Sequence, residues 1–530
     1  MTIFSSDLTW LILLPVIGAL AVYATPAKTA RWVALLFSAL TFALSLYIFF
    51  NMLPTGFGDL NHLHDAINIP WINFSVGTTR LKIDYFLGID GLSLPMVVLN
   101  GLLTMLAIIG GWAKERVKDY MALLLLLEGG VMGVFLSLDL LLFFLFWEVE
   151  LAPMFLLIGI WGNQQIKHGM PGRIYSAWKF LLYTFFGSVF MLIGILVLYF
   201  TNASPSHNGM PTASMAYFST HMFNIPMTIP LINVTIGSQL LIFLLIYTAF
   251  AVKIPMFPFH TWLPDAHTDA PTEVSVILAG VLLKMGAYGL IRICLGLFPQ
   301  GVQEFAGVLS VLAVINILYG ASICLVQKDM KKLIAYSSVS HMGIILLGVA
   351  AAASNGSLEF RSVALTGAAL QMFCHGIITG LLFFCVGVIY DHAHTREISA
   401  FGGVAKKMPM LATLFTFAAM ASLGLPGLAG FVAEYMVFTS SFGVIQSATT
   451  AAVFTMILTA AYLLWMIKRV FFDTFNHRWD RLLDASLREM IPLLVLAALI
   501  LFVGLYPKPL IDVIVPSLPH PVQTAVLLIK

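Results

Sequence analysis

The sequence predicts an all-α polytopic membrane protein, and three observations carry that expectation. Charged residues make up only 10% of the 530 positions and hydrophobic residues 60%, where a water-soluble domain carries about 25% and about 45–50%. Apolar runs of roughly 20 residues, the length that crosses a hydrocarbon core, recur from Leu8 to Tyr506 without a soluble-sized interruption. The runs are continuous, whereas membrane β-barrels alternate polar and apolar residues in strands of about 10.

Cutting the chain at proline, glycine and charge clusters gives about fourteen spans: 8–25, 32–53, 91–112, 120–137, 139–161, 179–200, 238–261, 272–298, 303–326, 331–353, 361–390, 410–441, 446–470 and 488–506. The first lacks a basic leader and reads as a retained span, not a cleaved signal. The connections 54–90 and 201–237 are long, yet neither reads as a folded domain. Four blocks follow: 1–119 with spans one to three, 120–298 with spans four to eight, 303–470 with spans nine to thirteen, and 471–530 with the last span and the tail.

Orientation follows from the basic residues. Lys28, Arg31, Lys114, Arg116, Lys118, Lys167, Arg173, Lys179, Lys328, Lys331, Lys332, Arg396, Lys406, Lys407, Lys468, Arg469, Arg478, Arg481 and Arg488 follow odd-numbered spans, against Arg80, Lys82 and Arg361 on the other side. By the positive-inside rule the odd loops are cytoplasmic and both termini non-cytoplasmic. Lys508 and Lys530 fall in the tail, which leaves Lys253, Lys284 and Arg292 inside apolar runs.

A charge at the bilayer centre costs about 2.5–3.5 kcal/mol on insertion scales, so ionisable groups within spans usually face a wet interior on an ion path. Here they form a set. Glu128 lies in span four, Glu148 and Glu150 in span five, Lys253 and His260 in span seven, Lys284 and Arg292 in span eight, His341 in span ten, His375 in span eleven and Glu434 in span twelve. Glu150 and Arg292 lie toward span ends and suit interfacial anchoring as well as function. Glu128, beside Gly129 and Gly130, suits a helix or subunit contact as well as a proton site. For Glu148, Lys253, Lys284 and Glu434 the bland alternative is a static buried ion pair; for the histidines, a satisfied core group. An unperturbed pKa near 6.5 suits histidine to a relay.

Proline and glycine point the same way. Pro255 and Pro258 follow Lys253, and Gly424, Pro426 and Gly427 precede Glu434. Proline breaks the helical ladder, and loose carbonyls at membrane depth are tolerated only where protein or cavity water satisfies them. Spans seven and twelve are therefore expected to be discontinuous. They are five apart, an odd step that inverts topology, so spans four to eight and nine to thirteen read as two inverted five-helix repeats.

Several classes fall away. The net charge of +2, with no basic cluster in water, gives no footprint for nucleic acid. Cys294, Cys324, Cys374 and Cys385 lie in apolar runs and form no Cys-x-x-Cys pair, so they read as packing residues and not as cluster or zinc ligands. No nucleotide-binding glycine motif is present, which places any redox chemistry on other chains. Asp265, His267, Asp269 and Glu273, in the stretch joining spans seven and eight, have the chemistry of metal ligands, but that proline-rich stretch reads equally as a capped turn, and no metal is expected. His267 could instead serve as a proton outlet.

The segments FFLFWEVELAPMFLLIGIWG, AVKIPMFPFHTWLPDAHTDAPTEVSVILAGVLLKMGAYGLIR, KKLIAYSSVSHMG, QMFCHGIITGLLFF and LPGLAGFVAEYMVF closely resemble the antiporter-like proton-pumping subunits of respiratory complex I. The resemblance covers roughly Leu92 to Trp465. It implies an acid–base pair on Glu148 and Lys253, a central lysine at Lys284, a histidine relay on His260, His267, His341 and His375, and a terminal exit residue at Glu434. It also implies a subunit of an NADH (or ferredoxin):quinone oxidoreductase that moves protons while quinone and the electron donor are handled elsewhere, with no cofactor on this chain. The implied partners are other membrane-arm subunits, above all antiporter-like ones, and the implied location is the lipid bilayer of a bacterial plasma membrane or a thylakoid. Glutamate at 434, where related L and N subunits and Mrp cation/proton antiporters typically carry lysine, favours the M-type branch, as does the lack of a long C-terminal lateral helix. An Mrp-type antiporter subunit and the pumping subunit of a membrane-bound hydrogenase are the alternatives on the same scaffold.

Overall fold

The structure, a computed structural model, describes residues 3–53, 63, 65–76, 79–113, 115–201, 212–221, 226–229 and 234–519. Lys114 and Lys530 of the charge pattern lie outside them.

Apolar runs that must satisfy every backbone group internally fold as helices, and the elements follow in chain order. Helices α1 (Asp7–Ala24) and α2 (Ala27–Met52) lead to a hairpin of β1 (Asp65–Val76) and β2 (Thr79–Ile89), antiparallel with Asp65 opposite Ile89 and a register shift between Pro70 and Ile72. Then come α3 (Leu94–Gly110), α4 (Val117–Leu136), α5 (Leu140–Val149) and α6 (Leu151–Trp161). A two-residue ladder of β3 (Ile166–Lys167) and β4 (Met170–Pro171) precedes α7 (Gly172–Thr201). The second long connection holds α8 (Met215–Thr220) and a small hairpin, β5 (Pro226–Ile229) with β6 (Val234–Gly237).

Helix α9 (Ser238–Lys253) stops at its lysine, and the chain resumes as α10 (Trp262–Asp269). The stretch read as a turn between spans is thus largely helical, because the prolines place the interruption at 254–261, ahead of it. Helices α11 (Thr272–Ile277) and α12 (Leu283–Gly289) form one span through two π segments, Leu278–Leu282 and Leu290–Leu295. After α13 (Pro299–Cys324), α14 (Met330–Ala353) and α15 (Leu358–Ala393), helix α16 (Pro409–Ser422) ends before Gly424 and Gly427, whose φ values of 80° and 89° only glycine adopts readily. The chain continues as α17 (Ala429–Phe442), α18 (Gln446–Val453), α19 (Thr455–Ile467), α20 (Leu487–Leu505) and α21 (Lys508–Ile514).

Among the described residues, eleven helical stretches are long and apolar enough to cross a membrane. Three shorter apolar helices, Leu94–Gly110, Ser238–Lys253 and Pro409–Ser422, fall at the third, seventh and twelfth expected spans. Burial sorts the spans: 272–295 and 358–393 are enclosed along their whole apolar windows, whereas only 28% of the α2 window is buried. The elements that carry the ionisable residues therefore form the centre, with α1, α2 and α20 outside it.

Candidate functional site

Lys253 is the last residue of α9, 1% exposed, and its Nζ donates to Glu150 Oε1. It also lies 5.2 Å from the centroid of the Trp147 ring and 5.6 Å from that of Phe180, aromatic faces that attract a cation. Glu150 is fully buried and sits where α5 gives way to α6. Of the two readings left open for Glu150, interfacial anchoring does not fit this burial: Pro153 interrupts the ladder inside span five and places Glu150 at the resulting joint.

Glu148, expected to pair with Lys253, instead sits half-buried beside Ser188, with Oε1 unpaired. Two residues along a helix turn a side chain to the opposite face, so Glu148 and Glu150 cannot meet Lys253 in the same way. Asp139 caps α5, accepting from Leu141 N at 2.9 Å and Leu142 N at 3.0 Å. It precedes the membrane-crossing helical stretch, which begins at Leu140, one residue later than the expected span, and burial raises its carboxyl to about 6 against the opposing effect of those N–H groups.

Lys284 is fully buried on α12. Its Nζ donates to the Ala279 carbonyl, inside the first π segment, and lies 2.7 Å from His375 Nδ1. A π turn leaves carbonyls outside the regular ladder, a device common at functional sites. Close approach of α12 to Lys253 requires glycine at 286: a Cβ there would stand 2.9 Å from Ile254 Cγ1 and 3.1 Å from Lys253 Cβ.

From Lys284 a row of polar contacts crosses the centre. The His375 and His341 ring centroids are 5.6 Å apart. His341 Nδ1 lies 3.0 Å from Glu434 Oε1 and its Nε2 3.2 Å from Ser422 Oγ, while Gln371 Nε2 donates to Glu434 Oε1 at 3.4 Å. The row thus runs Lys284, His375, His341, Glu434 over α12, α15, α14 and α17.

The other two histidines are placed differently. His267 is buried on α10, stacked on Phe383 at 4.7 Å with neither ring nitrogen hydrogen-bonded among the described residues. His260 packs edge-on to Tyr319 at 5.0 Å, with Nδ1 likewise unpaired, and touches no member of the row. Asp265 pairs with Lys179 at 2.7 Å, Asp269 with Lys167 at 2.8 Å, and Glu273 accepts from Tyr120 at 2.9 Å. These acids are drawn to three different partners rather than to a common centre. Glu128 is 1% exposed, with both carboxyl oxygens unpaired among the described residues.

Arg292, left open between anchoring and function, is 2% exposed and pairs with Asp90 at 2.5 Å, which in turn caps the N–H groups of Leu92 and Ser93. Sequence reasoning missed Asn316 altogether. Its Oδ1 accepts from Phe257 N at 2.6 Å and its Nδ2 reaches the Pro255 carbonyl at 3.3 Å, while Trp262 Nε1 donates to the Val252 carbonyl at 2.9 Å. Both side chains satisfy backbone freed at the break after Lys253. A polar residue inside an apolar span was the one available signal for Asn316.

Residues 137–460 match the family described as NADH:quinone oxidoreductase/Mrp antiporter, transmembrane. The chain is 42% identical over 505 residues to NADH-quinone oxidoreductase subunit M of Rhodobacter capsulatus, covering 94% of this chain and 91% of that one. It is 40% identical over 521 residues to NAD(P)H-quinone oxidoreductase chain 4 of Gloeobacter violaceus, covering 96% and 91%. Among solved structures it is similar to a chain of respiratory complex I from Thermus thermophilus with bound NADH, with TM-score 0.79, 28% identity, and 95% and 98% of the two chains covered. A chain of the Mrp complex from Dietzia sp. shares the fold at TM-score 0.80 and 20% identity, each chain covered completely.

Proposed function

The chain belongs to the NADH:quinone oxidoreductase/Mrp antiporter transmembrane family, and from that membership we propose that its buried lysines, histidines and glutamates carry protons across the membrane. The chain is an integral membrane subunit of a complex I-type NADH:quinone oxidoreductase, of the subunit M or chain 4 kind. Its partners are other subunits of that complex, and quinone and NADH are used by the complex as a whole.

The observation that carries the reading is the contact row from Lys284 through His375 and His341 to Glu434, flanked by the Lys253–Glu150 pair. Groups that give and take protons stand in sequence there, and all four are buried. A carboxylate beside an ammonium stabilises its charge, and desolvation without that partner destabilises it. Contact between Lys253 and a span-five glutamate therefore keeps the proton on the lysine, and separation frees it toward Lys284 and the row.

In this reading residues 120–298 form one five-helix repeat that supplies Glu148, Glu150, Lys253 and Lys284, and 303–470 an inverted one that supplies His341, His375 and Glu434. His260 and His267 serve as side branches of the relay. The membrane is a bacterial plasma membrane or thylakoid, both termini are non-cytoplasmic, and the immediate neighbours are antiporter-like subunits. The electron donor, NADH or ferredoxin, binds elsewhere in the complex.

The test is proton pumping against quinone reduction in sealed vesicles holding the assembled complex, for wild type, Lys284→Met and Glu148→Gln at equal assembly. A joint fall of pumping and turnover in Lys284→Met is the expected result. Full coupled activity in both variants would remove the row and the span-five acid from the mechanism.

A further inference from the structure

Away from the row, α3 and α4 pack together and carry buried polar atoms that the proton path does not use. Glu128 Oε1 and Oε2, Asn100 Oδ1 and Thr104 Oγ1 are all buried, and none has a hydrogen-bond partner among the described residues. The three residues are 1%, 0% and 0% exposed. Among the described residues no side chain makes a hydrogen bond or ion pair with the Glu128 carboxyl.

Helix geometry argues that these atoms share one site. Asn100 Nδ2 donates to the Glu128 carbonyl at 3.1 Å, which fixes the level at which the two helices meet. Helix side chains lean toward their own N-terminus, so the Glu128 carboxyl points back along α4. Because consecutive spans run antiparallel, that direction is forward along α3, which on helix geometry aims the carboxyl toward Thr104, one turn beyond Asn100 on the same face. A helical threonine often returns its hydroxyl to the carbonyl four residues back, as Thr184 and Thr379 do here at 2.8 and 2.6 Å. Thr104 makes no such bond, so its oxygen is free to turn into the site.

We propose that Glu128, Asn100 and Thr104 form a buried oxygen site that holds one exchangeable monovalent cation, either a proton carried with a water molecule or a sodium ion. A carboxylate enclosed in apolar surroundings must be neutralised or paired, and among the described residues no side chain pairs this one. The donor set is a carboxyl, an amide oxygen and a hydroxyl oxygen. All are hard ligands, which suit a small hard cation or a water and not a soft metal. Amide and hydroxyl oxygens also complete the hydrogen bonds of a bound water, the usual remedy for unpaired buried polar atoms. The site stands on its own geometry and does not depend on the lysine row.

The test is carboxyl-region infrared difference spectroscopy on the assembled complex in membranes, for wild type, Glu128→Gln and Thr104→Val, with and without sodium ions. Wild type is expected to show one protonated-carboxyl band that Glu128→Gln abolishes and Thr104→Val shifts. If sodium leaves the band unchanged, the cation is a proton with its water. If sodium bleaches it in wild type, and the bleach is lost in Glu128→Gln, the cation is sodium. Thr104→Val keeps the test decisive should Glu128→Gln fail to assemble. Spectra that are the same in wild type and both variants, with no sodium response, would overturn the proposal. Lys284→Met, run in parallel, should leave the band intact, so loss of pumping there and loss of the band in Glu128→Gln report on separate ideas.

Discussion

Replacing Glu150 and Lys253 singly and together decides which acid holds the lysine. Both side chains are buried, at 0% and 1% exposed. Removing one member of such a pair strands a charge and costs about 3–5 kcal/mol. Glu150→Gln and Lys253→Met should each lower stability by roughly that amount. The double variant strands nothing, and should be far less destabilised than the sum of the singles, with non-additivity of about 3 kcal/mol, the top of the usual range for neighbours. Coulomb's law gives a similar size, about 4 kcal/mol for unit charges 4 Å apart at an effective dielectric of 20. Glu148 makes no ion pair with Lys253 among the described residues but lies within reach of its charge, so Glu148→Gln combined with Lys253→Met should show a clearly smaller non-additivity than the Glu150 pair, about 1 kcal/mol or less. The assay is the thermal unfolding midpoint of the purified complex for all five variants, read as differences from wild type, with coupled quinone reduction measured alongside. Additive Glu150 and Lys253 effects, or the larger non-additivity for Glu148 instead, would refute the pairing.

Two further outcomes are expected. Gly424→Ala puts a Cβ at φ 80° and 3.1 Å from Glu434 Oε2, a backbone state that costs an L-residue about 1–2 kcal/mol; thermal unfolding should show that loss and pumping should fall, whereas Gly307→Ala, with open space around it, should stabilise slightly. Asp139 titrates near 6 in the fold because of burial, above the carboxylate range of the unfolded chain. The fold therefore binds the proton more tightly, and stability falls as pH rises from about 4 to 6, leaving a penalty of up to about 3 kcal/mol above that window. Asp139→Asn, which still caps a helix, should raise the unfolding midpoint at pH 8 and change it little at pH 4, and an equal shift at both values would sink the assignment.

Much of the fold was legible because membrane helices are dictated by run length and hydropathy, and because proline and glycine leave few ways to continue a helix. The breaks after Lys253 and before Glu434 were read from Pro255, Pro258, Gly424, Pro426 and Gly427. The joint at Glu150, the π segments around Lys284 and the interruption at Phe454 were not. Such distortions arise when tertiary contacts outweigh local propensity, and an apolar run with a normal helix signal carries no mark of them. The hairpin of β1 and β2 stayed hidden for a related reason: its register is set by pairing across the turn, while the run itself reads as a polar connection.

The site divides along the same line. That Lys253, Lys284, His341, His375 and Glu434 would be buried followed from the cost of charge in an apolar run. Which of them touch depends on helix rotation, and rotation is decided by packing. Glu148 and Glu150 make the point: both sit in one apolar run with equal claim to Lys253, and what separates them is the joint at Glu150, which points one acid at the lysine and leaves the other beside Ser188. Hydropathy weighs composition within a window and is blind to that choice. The same holds for Asn100 and Thr104, two unremarkable polar residues that stand out only once α3 packs on α4, where Asn100 reaches the Glu128 carbonyl and the Thr104 hydroxyl is left unpaired among the described residues. Charge in an apolar segment marks where chemistry must be housed, and only the packed helices decide which neighbours house it.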